Sequence, residues 1–268
     1  MIPLDKRSKD LRKLVVQLVE VERRGHIGSA LSLVEILRAL YDSFLNYRPT
    51  EPHWSDRDRL ILSKGHGCLA LYAVLAEKGF FPQEELTTFC HPTSRLGGHP
   101  EKGKIPGIEA STGALGHGLS MGVGIALAAK IRQQSYRVVV VTGDGEINEG
   151  SVWEAAMSAA KHQLYNLSVF VDYNKMQSYG STREVLDLEP LTDKWRSFGF
   201  EVEEINGHDV QALEQLMHRL PLSGHKPTAI ICHTIKGKGF PFAEGRAEWH
   251  HKSRLKEEEI TAMYECLR

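Results

Sequence analysis

The spacing of apolar residues predicts helices alternating with strands along most of the chain. Apolar positions from Leu11 to Val19 recur at helical spacing, and a second helix is predicted from Ser32 to Leu45. A continuous β-branched run at 138–142 and a mainly apolar run at 167–171 predict strands buried on both faces. Two further strands, 201–206 and 228–235, are predicted on either side of a helix with the sequence VQALEQLMHRL.

This alternation is typical of an α/β fold with a doubly wound, mainly parallel sheet flanked by helices. No internal repeat or linker interrupts it, so we expect a single domain over residues 1–268, in which 236–268 form a C-terminal arm and helix. Residues 91–118 are rich in glycine, proline and histidine and predict a long irregular connection. Such a segment is usually functional or disordered, and because it is not low in complexity we expect a function.

Composition excludes several classes of protein. The 33 basic and 34 acidic residues give a formal net charge of −1, so no field of one sign favours nucleic acid or an anionic membrane. The 4 cysteines form no CxxC pair, which argues against zinc and iron–sulfur sites. The N-terminus lacks the apolar core of a secretion signal, and no apolar run approaches the about 20 residues of a membrane span. We therefore expect a soluble, cytoplasmic protein.

The segment VVVVTGDGEINEG at 138–150 predicts a ligand site. Asp144 directly follows a predicted strand, and Asn174 follows the next one 30 residues further on. Ligands of open α/β sheets bind beyond the carboxyl ends of the strands. Both side chains offer oxygen to a hard divalent cation, to which a backbone carbonyl could add a third ligand. Gly145 permits close backbone approach, and a helix predicted to start near Asn148 favours phosphate, so a cation with a diphosphate fits the pattern.

Four histidines lie in glycine-containing or loop-like stretches, where imidazole is available for proton transfer near neutral pH. The stretches are RRGHIGSA with His26, LSKGHG with His66, LGGHPE with His99, and EWHHK with His250. With the GDG-to-Asn motif and STGALGHG, they resemble the N-terminal, diphosphate-binding part of transketolase over nearly all 268 residues. Within this family, the chain most closely resembles the short subunits of split transketolases.

The resemblance implies a thiamine diphosphate site with Mg²⁺ or Ca²⁺. The implied metal ligands are Asp144, Asn174 and the backbone carbonyl of Met176. The implied cofactor contacts are His66, Gly113, Ala114, Leu115, Asp144, Gly145, Glu146, Asn174 and His250. The implied catalytic residues are His26, His66, His99 and His250.

Three positions depart from the family's usual pattern. Ala114 replaces a common proline, and His117 replaces a common glutamine and adds a proton donor without an assigned role. The family usually has His-Gly where this chain has His250-His251, which leaves the functional histidine open between the two, with His250 favoured by register.

The family's reaction transfers a two-carbon ketol unit from a ketose to an aldose, with sugars or sugar phosphates as substrates. In the family, a glutamate on a separate pyrimidine domain activates the cofactor, so we expect a second subunit bearing that domain in an α₂β₂ heterotetramer. Glu149 and Glu154 match acids that link paired active sites across the dimer interface, or they belong to an exposed helix face.

Three alternatives remain from sequence. They are a 1-deoxyxylulose-5-phosphate synthase-like enzyme, the E1 component of a 2-oxo acid dehydrogenase, and a non-catalytic cofactor-binding regulatory module. The glycine-flanked histidines argue against the last two.

Overall fold

The computed structural model of the chain describes residues 3–268. Within this range the helices are α1 (Lys6–Glu22), α2 (Ile27–Leu31), α3 (Val34–Ala39), α4 (Cys68–Glu77), α5 (Gly118–Ile131), α6 (Gly150–Lys161), α7 (Thr182–Val185), α8 (Leu191–Ser197), α9 (Val210–Met217) and α10 (Glu257–Cys266). The strands are β1 (Arg59–Leu62), β2 (Val138–Gly143), β3 (Leu167–Tyr173), β4 (Glu201–Asn206) and β5 (Thr228–His233). Short turns of 3₁₀ helix cover Gly65–Gly67, Gln83–Thr88, Gly145–Asn148 and Ala247–Trp249, and a π-helical turn covers Leu40–Phe44.

The strands form one parallel sheet in the order β1-β2-β3-β5-β4. Val138 of β2 pairs with Leu167 of β3, and Gly143 pairs with Asp172. This register brings the carboxyl ends of both strands to the same edge of the sheet. The predicted parallel α/β fold is confirmed.

Helices cover both faces of the sheet because the side chains of each central strand alternate between two apolar cores. Val138 and Val140 lie in a cluster with apolar residues of α5, α6 and α8. Val139 and Val141 lie in the other cluster, with apolar residues of α1 to α4, α9 and α10. A strand buried on both faces has no polar alternation, which explains the continuous valine run.

Two predicted helices begin two residues later than expected. The helix predicted over 32–45 begins at Val34 and its last turn, Leu40–Phe44, is π-helical; just before it, the Ser32 hydroxyl donates to the carboxylate of Asp172. The helix predicted near Asn148 begins at Gly150, since the preceding residues form a 3₁₀ turn and Glu149 is extended.

The predicted irregular connection lies between Thr88 and Gly118, where the structure has neither helix nor strand. It is nevertheless attached to the sheet, because Thr112 donates its hydroxyl hydrogen to the carbonyl of Leu62 at the end of β1. Within residues 3–268, no helix combines the length and the apolar character that a membrane span needs.

Two glycines of α5 provide a matched test of the packing between this helix and the sheet. A methyl group added at Gly122 would overlap Cγ2 of Val140 on β2, whereas one added at Gly124 meets nothing within 4 Å. We expect Gly122→Ala to lower the free energy of unfolding by about 1–3 kcal/mol. Gly124→Ala should raise it by about 0.5–1 kcal/mol, because alanine loses less backbone entropy in a helix. Urea unfolding measures both, and equal effects would contradict this packing.

Candidate functional site

The cleft that holds most of the predicted site residues lies beyond the carboxyl ends of the parallel strands. It has a volume of about 260 Å³ and includes Asp144 and Asn174 in its lining. Asp144 is only 2% exposed, and its carboxylate accepts hydrogen bonds from the backbone N–H groups of Gly145 (2.7 Å) and Lys175 (2.5 Å). The two side chains that the sequence placed at adjacent strand ends therefore face one cleft.

Oxygen atoms of the kind that bind hard cations lie together in this cleft. The Asn174 Oδ1 atom accepts from the Met176 N–H at 3.1 Å, and Met176 also lines the cleft. Burial and the nearby Asp172 carboxylate raise the pKa of Asp144, so its ionised form needs a counter-charge. Lys64 and Lys236 supply part of that charge, and a divalent cation would supply the rest, since a carboxylate, an amide oxygen and a carbonyl are ligands that Mg²⁺ and Ca²⁺ take. Among residues 3–268 no group of three or more His, Cys, Asp or Glu side chains is placed to hold a metal.

Two buried lysines in the cleft were missed by the sequence analysis. Lys64 is 1% exposed and donates to the Asp172 carboxylate at 2.5 Å and to the Ser29 carbonyl at 3.1 Å. Lys236 is 2% exposed and donates to the Met176 carbonyl at 3.0 Å. Burial and repulsion from Lys64 lower the pKa of Lys236, so an anionic ligand would stabilise both cations. The sequence did contain a signal for these two lysines, because each one follows the end of a strand by two or three residues and directly precedes a glycine.

The four predicted histidines line this same cleft. The His26 ring lies at the centre of the group, with ring centroids 5.4 Å from His66, 5.8 Å from His99 and 5.5 Å from His250. His251 packs against the other side of His26, at 4.5 Å, and does not line the cleft. The structure therefore places His250, and not His251, in the cleft.

Burial and neighbouring positive groups keep these imidazoles neutral near pH 7. Burial, with contributions from His251 and His99, lowers the pKa of His26 to about 4. Burial and Lys236 lower the pKa of His250 to about 3, and burial and Lys64 lower the pKa of His66 well below its usual value. Burial alone lowers the pKa of His99. A neutral imidazole has one donor and one acceptor nitrogen, so each ring can donate a hydrogen bond to a sugar hydroxyl and accept one from it.

The loop with the sequence TGALG borders the cleft at two of its three predicted contacts. Gly113 and Leu115 line it, whereas Ala114 is exposed and outside the lining, as is His117. Gly113 has a φ of +141°, and a Cβ there would lie 3.0 Å from the His99 ring. Glycine is required at this position on both counts.

Glu146 fastens this loop to the end of β2. Its buried carboxylate accepts hydrogen bonds from the Ser63 hydroxyl and, at 3.0 Å each, from the backbone N–H groups of Gly116 and Gly143. Glu146 and Gly145 both line the cleft. Glu149 and Glu154 are exposed outside it.

The fold and the cleft define an α/β protein with a ligand site at the carboxyl edge of a parallel sheet. Residues 5–267 match the family model described as "Transketolase, thiamine diphosphate binding domain". The chain belongs to this family. The predicted resemblance to the N-terminal part of transketolase is therefore confirmed, as is the prediction of a transketolase-type transferase.

Relatives of similar length bear the name of a transketolase subunit. The chain is 46% identical to one subunit of the apulose-4-phosphate transketolase of Actinobacillus succinogenes, over 93% of this chain and 90% of that protein. It is 43% identical to "6-deoxy-6-sulfo-D-fructose transketolase subunit SqwG" of a Clostridium species, over 96% of this chain and 93% of that protein. These matches do not favour the alternative enzymes considered from sequence.

Transketolases of known structure share the fold. A transketolase from Pichia stipitis superimposes with a TM-score of 0.91 at 31% identity, over 98% of this chain and 40% of that one. The transketolase from Leishmania mexicana gives the same score and identity over 100% of this chain and 41% of that one. The chain thus spans about two fifths of the length of these transketolases.

The lowered histidine pKa values predict how stability depends on pH. Unfolded histidines take up protons below about pH 6.5, whereas folded His26 does so only near pH 4 and folded His250 near pH 3. Their contribution to stability is therefore present above the unfolded pKa and is lost as the pH falls through the folded value. Between about pH 7.5 and about pH 5, the free energy of unfolding of the wild type should fall more steeply than that of His26→Gln or His250→Gln.

Urea unfolding at both pH values measures these slopes. His162→Gln, at an exposed position after α6, is the control and should keep the wild-type slope. Equal slopes in all four proteins would show that the two rings are not buried in the neutral form.

Proposed function

We propose that this chain binds thiamine diphosphate through a divalent cation and forms the diphosphate-binding half of a transketolase active site. The observation that supports this most strongly is the joint lining of one cleft by a cation-binding oxygen set, two buried lysines and four neutral histidines. In this proposal residues 1–268 act as a single diphosphate-binding domain, with 236–268 as its arm and C-terminal helix. Lys236, the first residue of the arm, lines the cleft and donates a hydrogen bond to the Met176 carbonyl, which supports treating the arm as part of that domain.

Each wall of the cleft has its own role in this proposal. Asp144, Asn174 and the Met176 carbonyl would hold Mg²⁺, or Ca²⁺, and Lys236, which lines the same cleft, would attract the diphosphate. The remaining cofactor contacts are Lys64, His66, Gly113, Leu115, Gly145, Glu146 and His250, whereas Ala114, which lies outside the cleft lining, is not assigned to the cofactor. Glu146 contributes mainly by holding the loop at Gly116.

Thiamine diphosphate, when bound, supplies the nucleophilic thiazolium carbon to which the two-carbon unit is attached. The chain's own part is to orient the sugar and to move protons. His26, His66, His99 and His250, neutral in the cleft, accept a proton from a donor hydroxyl and return one to the acceptor's carbonyl oxygen. The net reaction transfers a two-carbon ketol unit from a ketose to an aldose.

The proposal includes a second polypeptide that bears the pyrimidine domain, in an α₂β₂ assembly. Relatives that this chain matches over about nine tenths of their length are named as subunits, which supports a separate partner. We assign exposed Glu149 and Glu154 to the contact between paired sites, and the assembly to the cytoplasm. The substrates are sugars or sugar phosphates.

Loss of the cation ligand should remove cofactor binding. With Asp144→Ala, the diphosphate would meet no bound cation, and we expect thiamine diphosphate with Mg²⁺ to give no calorimetric binding signal. Asp193→Ala, which removes an exposed carboxylate on α8, should bind as the wild type does. Circular dichroism confirms that both variants are folded. Equal affinity in the Asp144→Ala variant would contradict the assignment of the cation site.

Activity should depend on the partner. The purified chain with a ketose donor, an aldose acceptor, thiamine diphosphate and Mg²⁺ should show no turnover until a second polypeptide with the pyrimidine domain is added. The assay measures the new ketose formed, using a panel of phosphorylated, sulfonated and unsubstituted donors. Sustained turnover by the chain alone would refute the proposed division of the active site.

A further inference from the structure

A buried aspartate behind the cleft joins several parts of the site. Asp172, the sixth residue of β3, is 0% exposed and does not line the cleft. Its Oδ2 atom accepts hydrogen bonds from Ser32 at 2.6 Å, Lys64 at 2.5 Å and Asn174 at 3.3 Å. Its Oδ1 atom accepts one from the Thr234 hydroxyl.

The donors that line the cleft all bind one oxygen of the Asp172 carboxylate, Oδ2. Of the Oδ2 donors, Lys64 and Asn174 line the cleft, whereas Ser32 does not, and neither does the Oδ1 donor Thr234. The side of Asp172 nearest the site is therefore bonded to one cationic group and one amide that face the ligand space.

Both of these contacts constrain groups that the ligand would meet. Because the Asn174 amide nitrogen donates to Asp172, its Oδ1 atom is left on the side of the Met176 N–H and the cleft. The Lys64 ammonium group is 1% exposed, and Asp172 is its ion-pair partner at 2.5 Å. A buried charge without its partner is strongly disfavoured, so Lys64 keeps this position through Asp172.

We propose that Asp172 is a positioning residue, which fixes Lys64 and the Asn174 amide in the arrangement that receives a cation and a diphosphate. This inference rests on the proposed function. It adds a residue that touches neither ligand and acts through the two that do. Groups that orient ligand-binding residues typically change affinity by about 10–100-fold when they are replaced.

The test compares substitutions on the two sides of the carboxylate. Asp172→Asn keeps the shape and removes the charge that holds Lys64, and it should weaken thiamine diphosphate binding in the presence of Mg²⁺ by about tenfold or more. Thr234→Val removes only the Oδ1 partner, so it should lower the free energy of unfolding while the affinity stays within about twofold. Calorimetry and urea unfolding of the full chain measure the two quantities separately.

A double-mutant cycle identifies the route of the effect. If Asp172 acts through Lys64, then Asp172→Asn combined with Lys64→Met should weaken binding no more than Lys64→Met alone. Asp172→Ser, which is also uncharged, repeats the comparison with a second side chain in case the asparagine variant does not fold.

The outcomes separate this inference from the proposed function. A wild-type chain that binds no thiamine diphosphate contradicts the proposed function and this inference with it. A wild type that binds, with Asp172→Asn within twofold of it, contradicts only the role of Asp172. Equal losses of affinity in Asp172→Asn and Thr234→Val would likewise overturn it, because they would reflect general destabilisation.

Discussion

Two lysines and two aspartates buried at the carboxyl edge of the sheet offset one another's charges beside the buried Glu146 carboxyl group, and the cleft is built around them. The cations are Lys64 and Lys236, and the anions are Asp144 and Asp172. Each would be strongly disfavoured if it were buried without a partner of opposite charge. The parallel register brings them together, because each follows or ends a strand whose carboxyl end lies at the same edge. A diphosphate adds more negative charge than two lysines offset, which is the electrostatic reason for proposing a divalent cation.

The same charges set the protonation of the histidines. Lys64 and Lys236 both lower the pKa of His26, His66 and His250, in addition to the larger effect of burial. A ring kept neutral by its surroundings retains an acceptor nitrogen at physiological pH, which a protonated ring lacks. The lysines proposed to attract the diphosphate therefore also keep these rings neutral, so the proposed anion site and the protonation of the histidines share one electrostatic origin.

The sequence predicted those parts of the site that depend on local pattern. The valine run of β2 and the apolar run of β3 indicated two adjacent buried strands, so Asp144 and Asn174 could be placed together. Lys64 and Lys236 could not, because a lysine beside a glycine is ordinarily a solvated loop residue. Their burial follows from contacts with Asp172 and with the Met176 carbonyl, which are distant in sequence. The contact of Ser32 escaped prediction for the same reason, since its hydroxyl bonds to Asp172 across 140 positions.

The irregular connection before α5 is held in place by hydrogen bonds to residues at the carboxyl edge of the sheet. A segment of this length without helix or strand has few backbone bonds of its own, so its shape must come from contacts with its surroundings. The contacts are specific: Thr112 bonds to the end of β1, and the Gly116 N–H bonds to the Glu146 carboxylate beside β2. Gly113, held between them, packs against the His99 ring of the same connection. The position of a proposed proton-transfer group is thus set by anchors on two strands, and any change that shifts these strand ends should move His99 together with the cation site.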